Sequence, residues 1–421
     1  MRRAGAIDRL RQARRLVEAE GYRAVAERLA ERAANRIYRP DPARLPVAQA
    51  DLERAAAIAA DNWKLPEPLI VKPGEPLTIA WVCTPPGPGS GGHTTMFRLV
   101  SAFEQAGHRC ILYLQDNHGW AVEQHEHVIR AWWPWMKAEI RGAAAGIEDA
   151  HAIFATAWET AYPVLASPAR GVRFYLVQDF EPLFYPAGSE SLLAEATYRF
   201  GFHGVTAGRW LADVLRGDYG MPSDHFDFGR DLTYKLDPSV TPEQRTGVCF
   251  YSKPDTPRRA YGLAVLALDL FAKRHPEVDI HFYGVEAERL PFAAINHGLQ
   301  TPEELNQLYN RCVAGLVLSA TNVSLVPHEM LAAGCVPVVN DAKQNRVVLD
   351  NPYVSYANGT PFELAEALSR LVERPTADRA RAAETAAASV SGASWSDAGA
   401  TVVEVVERAL ADATPPARSA S

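Results

Sequence analysis

Two short stretches of this 421-residue chain hold residues whose types and spacing could do chemistry. The first is Gly87-Pro88-Gly89-Ser90-Gly91-Gly92, followed at once by His93. Glycines ahead of a helix leave backbone N–H groups free to meet an anion, so Gly91 and Gly92 are candidates for a phosphate or acceptor loop. His93 either donates to a phosphate or sugar there, or braces the loop. The run also satisfies G-x-G-x-x-G, and Asp116 lies 24 residues beyond Gly92. That is nearly the dinucleotide fingerprint, so a dehydrogenase is a competing class. Against it stand Pro85, Pro86 and Pro88, which oppose the tight immediate turn of that fingerprint. The second stretch is Gln178-Asp179-Phe180-Glu181-Pro182. A carboxylate just past a strand can take a proton from a hydroxyl, which makes Asp179 and Glu181 candidate catalytic groups. Asp116 and His118 are rivals, and a structural hydrogen-bonding role is the alternative for Asp179.

The elements that must hold these residues alternate. Short apolar runs at 77–83, 110–115, 152–156, 173–178 and 204–207 alternate with helical stretches. A second series starts afresh at 247–251 and continues at 279–283, 314–318 and 336–340. Strand–helix–strand rhythm implies parallel sheets, so the expected fold is α/β with two Rossmann-like domains facing each other across a cleft. The expected division is a helical extension over 1–65, one domain over 66–225, a second over 240–375, a helical segment over 376–411 and a disordered tail over 412–421. The Asp/Gly/Pro-rich residues 217–243 read as the connection. The second domain would be idle in a nicotinamide enzyme. It also argues against reading Asp179-Phe180-Glu181 as a D-x-D metal motif, so no metal is expected.

Composition narrows the classes further. The chain is 48% apolar and 22% charged, close to an ordinary soluble protein. Its net charge of −7 speaks against a nucleic-acid binder. No apolar run is long enough to span a bilayer, and the charged first residues contain no signal-peptide core. The five cysteines stand singly and read as reduced core thiols in a cytoplasmic protein. Trp120, Trp132, Trp133 and Trp135 crowd the first domain; aromatics stack on sugar faces, but Trp132–Trp135 read as core or interfacial packing. Residues 1–39 hold eleven arginines against five acids, with Leu10, Ala13 and Val17 and then Val25 and Leu29 at helical spacing. They are either an exposed salt-bridged helix pair or a surface that rests on anionic lipid.

Residues 297–340, HGLQTPEELNQLYNRCVAGLVLSATNVSLVPHEMLAAGCVPVVN, resemble the donor-binding stretch of the large retaining glycosyltransferase group of two Rossmann domains (GT-B fold) often called family 4. The matching elements are Gly298, the ELxxLYxxC helix at Glu304–Cys312, Ser319, and the run from Glu329 to Val339. One departure is present: that family places a Glu eight residues before its second Glu, and here position 321 is Thr. Together with residues 91–108, 177–189 and 251–259, the pattern resembles the bacterial rhamnosyltransferases of the WsaF type.

The resemblance implies a nucleotide-sugar donor, dTDP-L-rhamnose, and a saccharide acceptor in cell-surface polysaccharide synthesis, with no separate cofactor. It implies that Lys253 and Arg258, five positions apart with Arg259 adjacent, meet the diphosphate. Fixed cations there stabilise a leaving group that gains negative charge. Glu329 is implied at the ribose, and Gly298 and Leu299 beside the base. With no acid at 321, Asn322, Ser324 or the backbone must contact the sugar. Acceptors of such enzymes are commonly lipid-linked, which implies work at the inner face of the cell membrane. A fold kept for binding or scaffolding without catalysis is a further alternative, suggested by the missing acid.

Overall fold

The computed structural model describes residues 45–413, apart from 63, 73, 117, 118, 230, 288 and 391–393. The expected helices of residues 1–39, His118 and most of the expected tail lie outside the described residues. Gln49 to the C-terminus forms one compact unit, and the description below concerns that unit.

After a first helix α1 (Gln49–Ala60), the chain builds β1 (Thr78–Cys83), α2 (Gly91–Gln105), β2 (Arg109–Leu114), α3 (Val122–Trp132), β3 (Glu139–Gly142) and β4 (Ala152–Ala155). It continues through α4 (Trp158–Ala166), β5 (Val172–Val177), α5 (Ser189–Ala196), β6 (His203–Ala207), α6 (Arg209–Tyr219) and β7 (Ser223–Phe226). These seven strands form one sheet, ordered β3-β2-β1-β4-β5-β6-β7, and every pairing is parallel. Helices cover both faces, so a strand such as Thr-Ile-Ala-Trp-Val-Cys is buried from its second residue on rather than alternating. Trp81 stacks on Phe154 at 4.1 Å across the β1–β4 pair, within a core that Phe97, Leu99 and Phe103 of α2 complete.

The second sheet runs β8 (Gly247–Ser252), α7 (Tyr261–Arg274), β9 (Ile280–Gly284), β10 (Ile295–Asn296), α8 (Pro302–Arg311) and β11 (Cys312–Val317). There follow α9 (Val326–Ala332), β12 (Val336–Asn340), α10 (Lys343–Leu349), β13 (Ser355–Ala357) and α11 (Pro361–Val372). Its order is β10-β9-β8-β11-β12-β13, again all parallel. The local chemistry explains the sharp edges of its elements. Thr301 and Glu304 form a reciprocal capping box around Pro302 at the start of α8. Gly334 ends α9 at φ +76°, where an added Cβ would lie 2.7 Å from Leu236 Cδ1.

The C-terminal segment divides into α12 (Thr376–Ser389) and α13 (Trp395–Ala413). The second helix returns to the first sheet, where Ala398, Val402, Val406 and Leu410 join the core of β1 and α2. It approaches α2 so closely that a Cβ on Gly399 would stand 2.5 Å from Ala102 Cβ. The segment expected as one separate helical piece is therefore in part the outer layer of the first domain. Residues 217–243 likewise differ from expectation, since they contain the end of α6 and the edge strand β7.

Candidate functional site

In each sheet the strand order reverses at the first strand of its series: β1 lies between β2 and β4, and β8 between β9 and β11. Open parallel sheets bind ligands at the carboxyl ends of the strands beside such a reversal. In the first sheet this point carries the loop 84–90 and the start of α2. In the second it carries Lys253, Arg258 and Arg259 after β8, and residues 318–325 after β11. The topology thus brings the candidate residues of both series to two strand edges.

Around the first edge, His93 Nε2 donates to Thr84 O at 2.9 Å, and its Nδ1 accepts from Ser90 Oγ at 2.8 Å. Burial holds its pKa below the usual imidazole value, against the opposing pull of the Thr84 carbonyl. The ring is therefore neutral and spends both nitrogens on the loop. Ser90 is consequently drawn away from capping, and α2 begins without a side-chain cap. Gly91 has open space around it, and Gly92 O accepts from Gln178 Nε2 at 3.1 Å. Glu181 is buried and accepts from Trp158 N at 2.6 Å. Burial, with the charge of Glu159 added, pushes its pKa well above the usual carboxylate range.

Asp179 reaches across to the second domain. Its Oδ1 accepts from Asn322 N at 2.7 Å and Phe180 N at 2.9 Å, while its Oδ2 accepts from Thr321 Oγ1 at 3.0 Å. Arg258 Nε ion-pairs with the same Oδ2 at 3.2 Å, and its guanidinium carbon sits 4.1 Å over the ring of Phe184. Arg259 turns inward, donating to Ser319 Oγ at 2.9 Å and Asn322 O at 3.3 Å, with its pKa lowered by burial. Lys253 lies 5.3 Å over the Tyr251 ring. The three cations therefore differ in use: Arg259 braces the loop, while Lys253 and Arg258 stand at its surface.

The Asn322 amide donates to Gln178 O and Ala207 O, both at 2.9 Å. Thr321 and Asn322 are almost fully buried, so in this arrangement they face the first domain rather than an open donor pocket, and Ser324 is the half-buried residue of that loop. Glu329 lies in the first turn of α9, and the charges of Asp231 and Arg98 act on it. Its pKa is raised to about 7, first by burial and then by Asp231, with Arg98 opposing. Arg98 and Asp231 pair at 2.8 Å. Gly298 takes φ +67°, and its carbonyl accepts from Gly284 N at the end of β9. Leu299 beside it is 83% exposed.

Phe184, Arg98 and Asp231 were missed from the sequence, because an aromatic or an ion pair gains its role from a neighbour distant in the chain. The tryptophan crowd is a correction. Only Trp133 is buried as packing, with Nε1 donating to Thr94 Oγ1. Trp120, Trp132 and Trp135 are 63%, 52% and 41% exposed, and Trp132 lies against Gly89.

Residues 246–369 match the family described as WsaF, C-terminal domain, and both sheets have their reversal loops where a GT-B cleft requires them. That match covers the second domain alone, while the two parallel sheets together have the GT-B fold. It is 36% identical over 249 residues to the O-antigen biosynthesis protein RfbC of Myxococcus xanthus, a match spanning 57% of this chain and 19% of that protein. The chain thus spans about a fifth of that relative's length. Its fold is similar to Anabaena Alr3699/HepE solved with UDP and glucose (TM-score 0.59, 13% identity, 79% of this chain and 100% of that one). It is also similar to WaaG, a glycosyltransferase involved in lipopolysaccharide biosynthesis (TM-score 0.54, 13% identity, 78% of this chain and 99% of that one). Among the described residues, no helix is long and apolar enough to cross a membrane.

Proposed function

We propose that the chain is a glycosyltransferase that moves a sugar from a nucleotide donor to a saccharide acceptor in cell-surface polysaccharide synthesis, with dTDP-L-rhamnose as the donor. The observation that carries the reading is the placement of Lys253 and Arg258 at the reversal point of a sheet that matches the WsaF C-terminal domain. Two cations fixed there stabilise a nucleoside diphosphate as it leaves, without reorganising at the moment of reaction. Glu329, at the start of α9, accepts from a ribose hydroxyl in this reading, and Ser324 with nearby backbone meets the sugar. His93, Asp179 and Glu181 each already hold protein partners. A base drawn from them would first have to give those bonds up. A diphosphate oxygen held by Lys253 and Arg258 needs no such rearrangement, and we assign it the acceptor's proton, as in a transfer that retains configuration.

The test is titration calorimetry with dTDP and UDP in parallel. The unsubstituted protein should bind dTDP, and Arg258→Ala should weaken it by about 1.5–3 kcal/mol, the usual size of a charge-assisted bond. UDP binding with no response to dTDP would remove the thymidine donor. Unchanged binding in both Arg258→Ala and Glu329→Ala would falsify the donor site itself.

A further inference from the structure

We propose that Asp179 is a positioning residue: it clasps the two domains together and thereby aims Arg258 at the donor's diphosphate. This rests on the donor-site reading above and goes beyond it by tying the phosphate site to domain closure. A carboxylate offers about four lone-pair sites, and Asp179 uses them to accept from Phe180 N, Asn322 N and Thr321 Oγ1 while its charge pairs with Arg258 Nε. Three of those four partners belong to the other domain.

Arg258 is the one that matters for chemistry. The first domain fixes it on two sides, with Asp179 at its Nε edge and Phe184 against its face. Among the described residues, no side chain or carbonyl accepts from its two terminal amino groups. That leaves the planar fork that matches a phosphate free to bind one. When the domains part, Arg258 loses both supports together, so the aimed guanidinium exists only in the closed arrangement. Position 321 fits the same account. A threonine there is short and donates to Asp179, whereas a glutamate would set a second carboxylate against it, and two like charges at that distance repel. Thr321 and Asp179 thus form a matched pair divided between the domains.

The experiment titrates dTDP and UDP into the full chain and into Asp179→Ala, Arg258→Ala and the double variant, with steady-state rates and small-angle scattering on the same samples. Asp179→Ala should raise the nucleotide Kd about tenfold, the scale of one charge-assisted contact. The double variant should bind no more weakly than Arg258→Ala alone, because residues acting through one contact are not additive. KM for the donor should rise more than kcat falls, and the radius of gyration should grow. Thr321→Val, nearly the same shape without the hydroxyl, should shift Kd and radius the same way by less. It carries the test if Asp179→Ala does not fold. Additive losses in the double variant would overturn the proposal. So would an unchanged Kd with kcat down 10²–10⁴-fold, the signature of a lost base. If the unsubstituted protein binds neither nucleotide, the donor reading falls separately. The clasp is then decided by scattering alone: a larger radius upholds it, and an unchanged one overturns it.

Discussion

Glu329 stands among Asp231, Arg98 and three tyrosines, and the pKa values of Tyr234, Tyr283 and Tyr309 are raised, by burial first and by the charge of Glu329 in part. The Tyr283 and Tyr309 hydroxyls bond each other at 2.8 Å. The folded-state pKa of about 7 exceeds the ordinary 4.5. The folded protein then binds more protons than the unfolded chain between those values, and stability falls as pH rises through that window. Discounted for the solvent contact Glu329 keeps, the loss is about 1–3 kcal/mol. Chemical denaturation of the wild type and Glu329→Gln at pH 4.5, 6 and 8 checks this. The Gln variant should lose that part of the slope and gain stability relative to wild type towards pH 8. Parallel curves for the two proteins would mean the carboxylate is not desolvated. The type of Glu329 and its place at a helix start were legible in the sequence. Its pH dependence was not, because Arg98 and Asp231 come to it from two other parts of the chain.

Elements were legible where burial is two-sided. Strands such as Trp81–Val82 in β1 or Val338–Val339 in β12 are continuous apolar runs, and they fall within a residue or two of expectation. The missed strands are short or polar edges: Glu-Ile-Arg-Gly in β3, Ser-Asp-His-Phe in β7, Ile-Asn in β10 and Ser-Tyr-Ala in β13. An edge strand is covered on fewer sides and carries no apolar run to read. Asp179 was visible as a residue past a strand, but its partners at Thr321 and Asn322 were not, since that pairing belongs to closure between domains. Helix α13 was expected as helix yet misplaced, because its apolar stripe does not say which sheet it covers. The tight approach at Gly399 gives a test of that placement. Alanine is the better helix former by up to about 1 kcal/mol, but its methyl would collide with Ala102. Gly399→Ala should therefore lower the melting temperature by several degrees, an overpacking cost of about 1–3 kcal/mol outweighing the propensity gain. A raised melting temperature would mean that α2 and α13 do not meet as described.

At the scale of the whole molecule, charge is divided unevenly along the chain. Residues 1–39 hold eleven arginines and five acids, while the complete chain carries −7, so everything beyond residue 39 is strongly acidic. An anionic membrane surface attracts the first part and repels the second, which sets a direction for approach as well as a strength. Each arginine near such a leaflet contributes about 1 kcal/mol, and the attraction decays within a Debye length. On that scale a few arginines predict reversible, salt-sensitive association, and the modest apolar stripe of the sequence predicts no insertion. We propose that this association serves a lipid-linked saccharide acceptor. Co-sedimentation with vesicles should show binding of the full chain to vesicles with anionic lipid at low salt, and release at high salt. A chain beginning at Pro42 should stay in the supernatant throughout. Exchanging four of the eleven arginines for glutamate should abolish binding while leaving dTDP affinity unchanged, since the donor cations lie after β8. Equal partitioning of the full and shortened chains, or binding indifferent to lipid charge, would make residues 1–39 an ordinary solvated segment and leave the acceptor to find the cleft by diffusion.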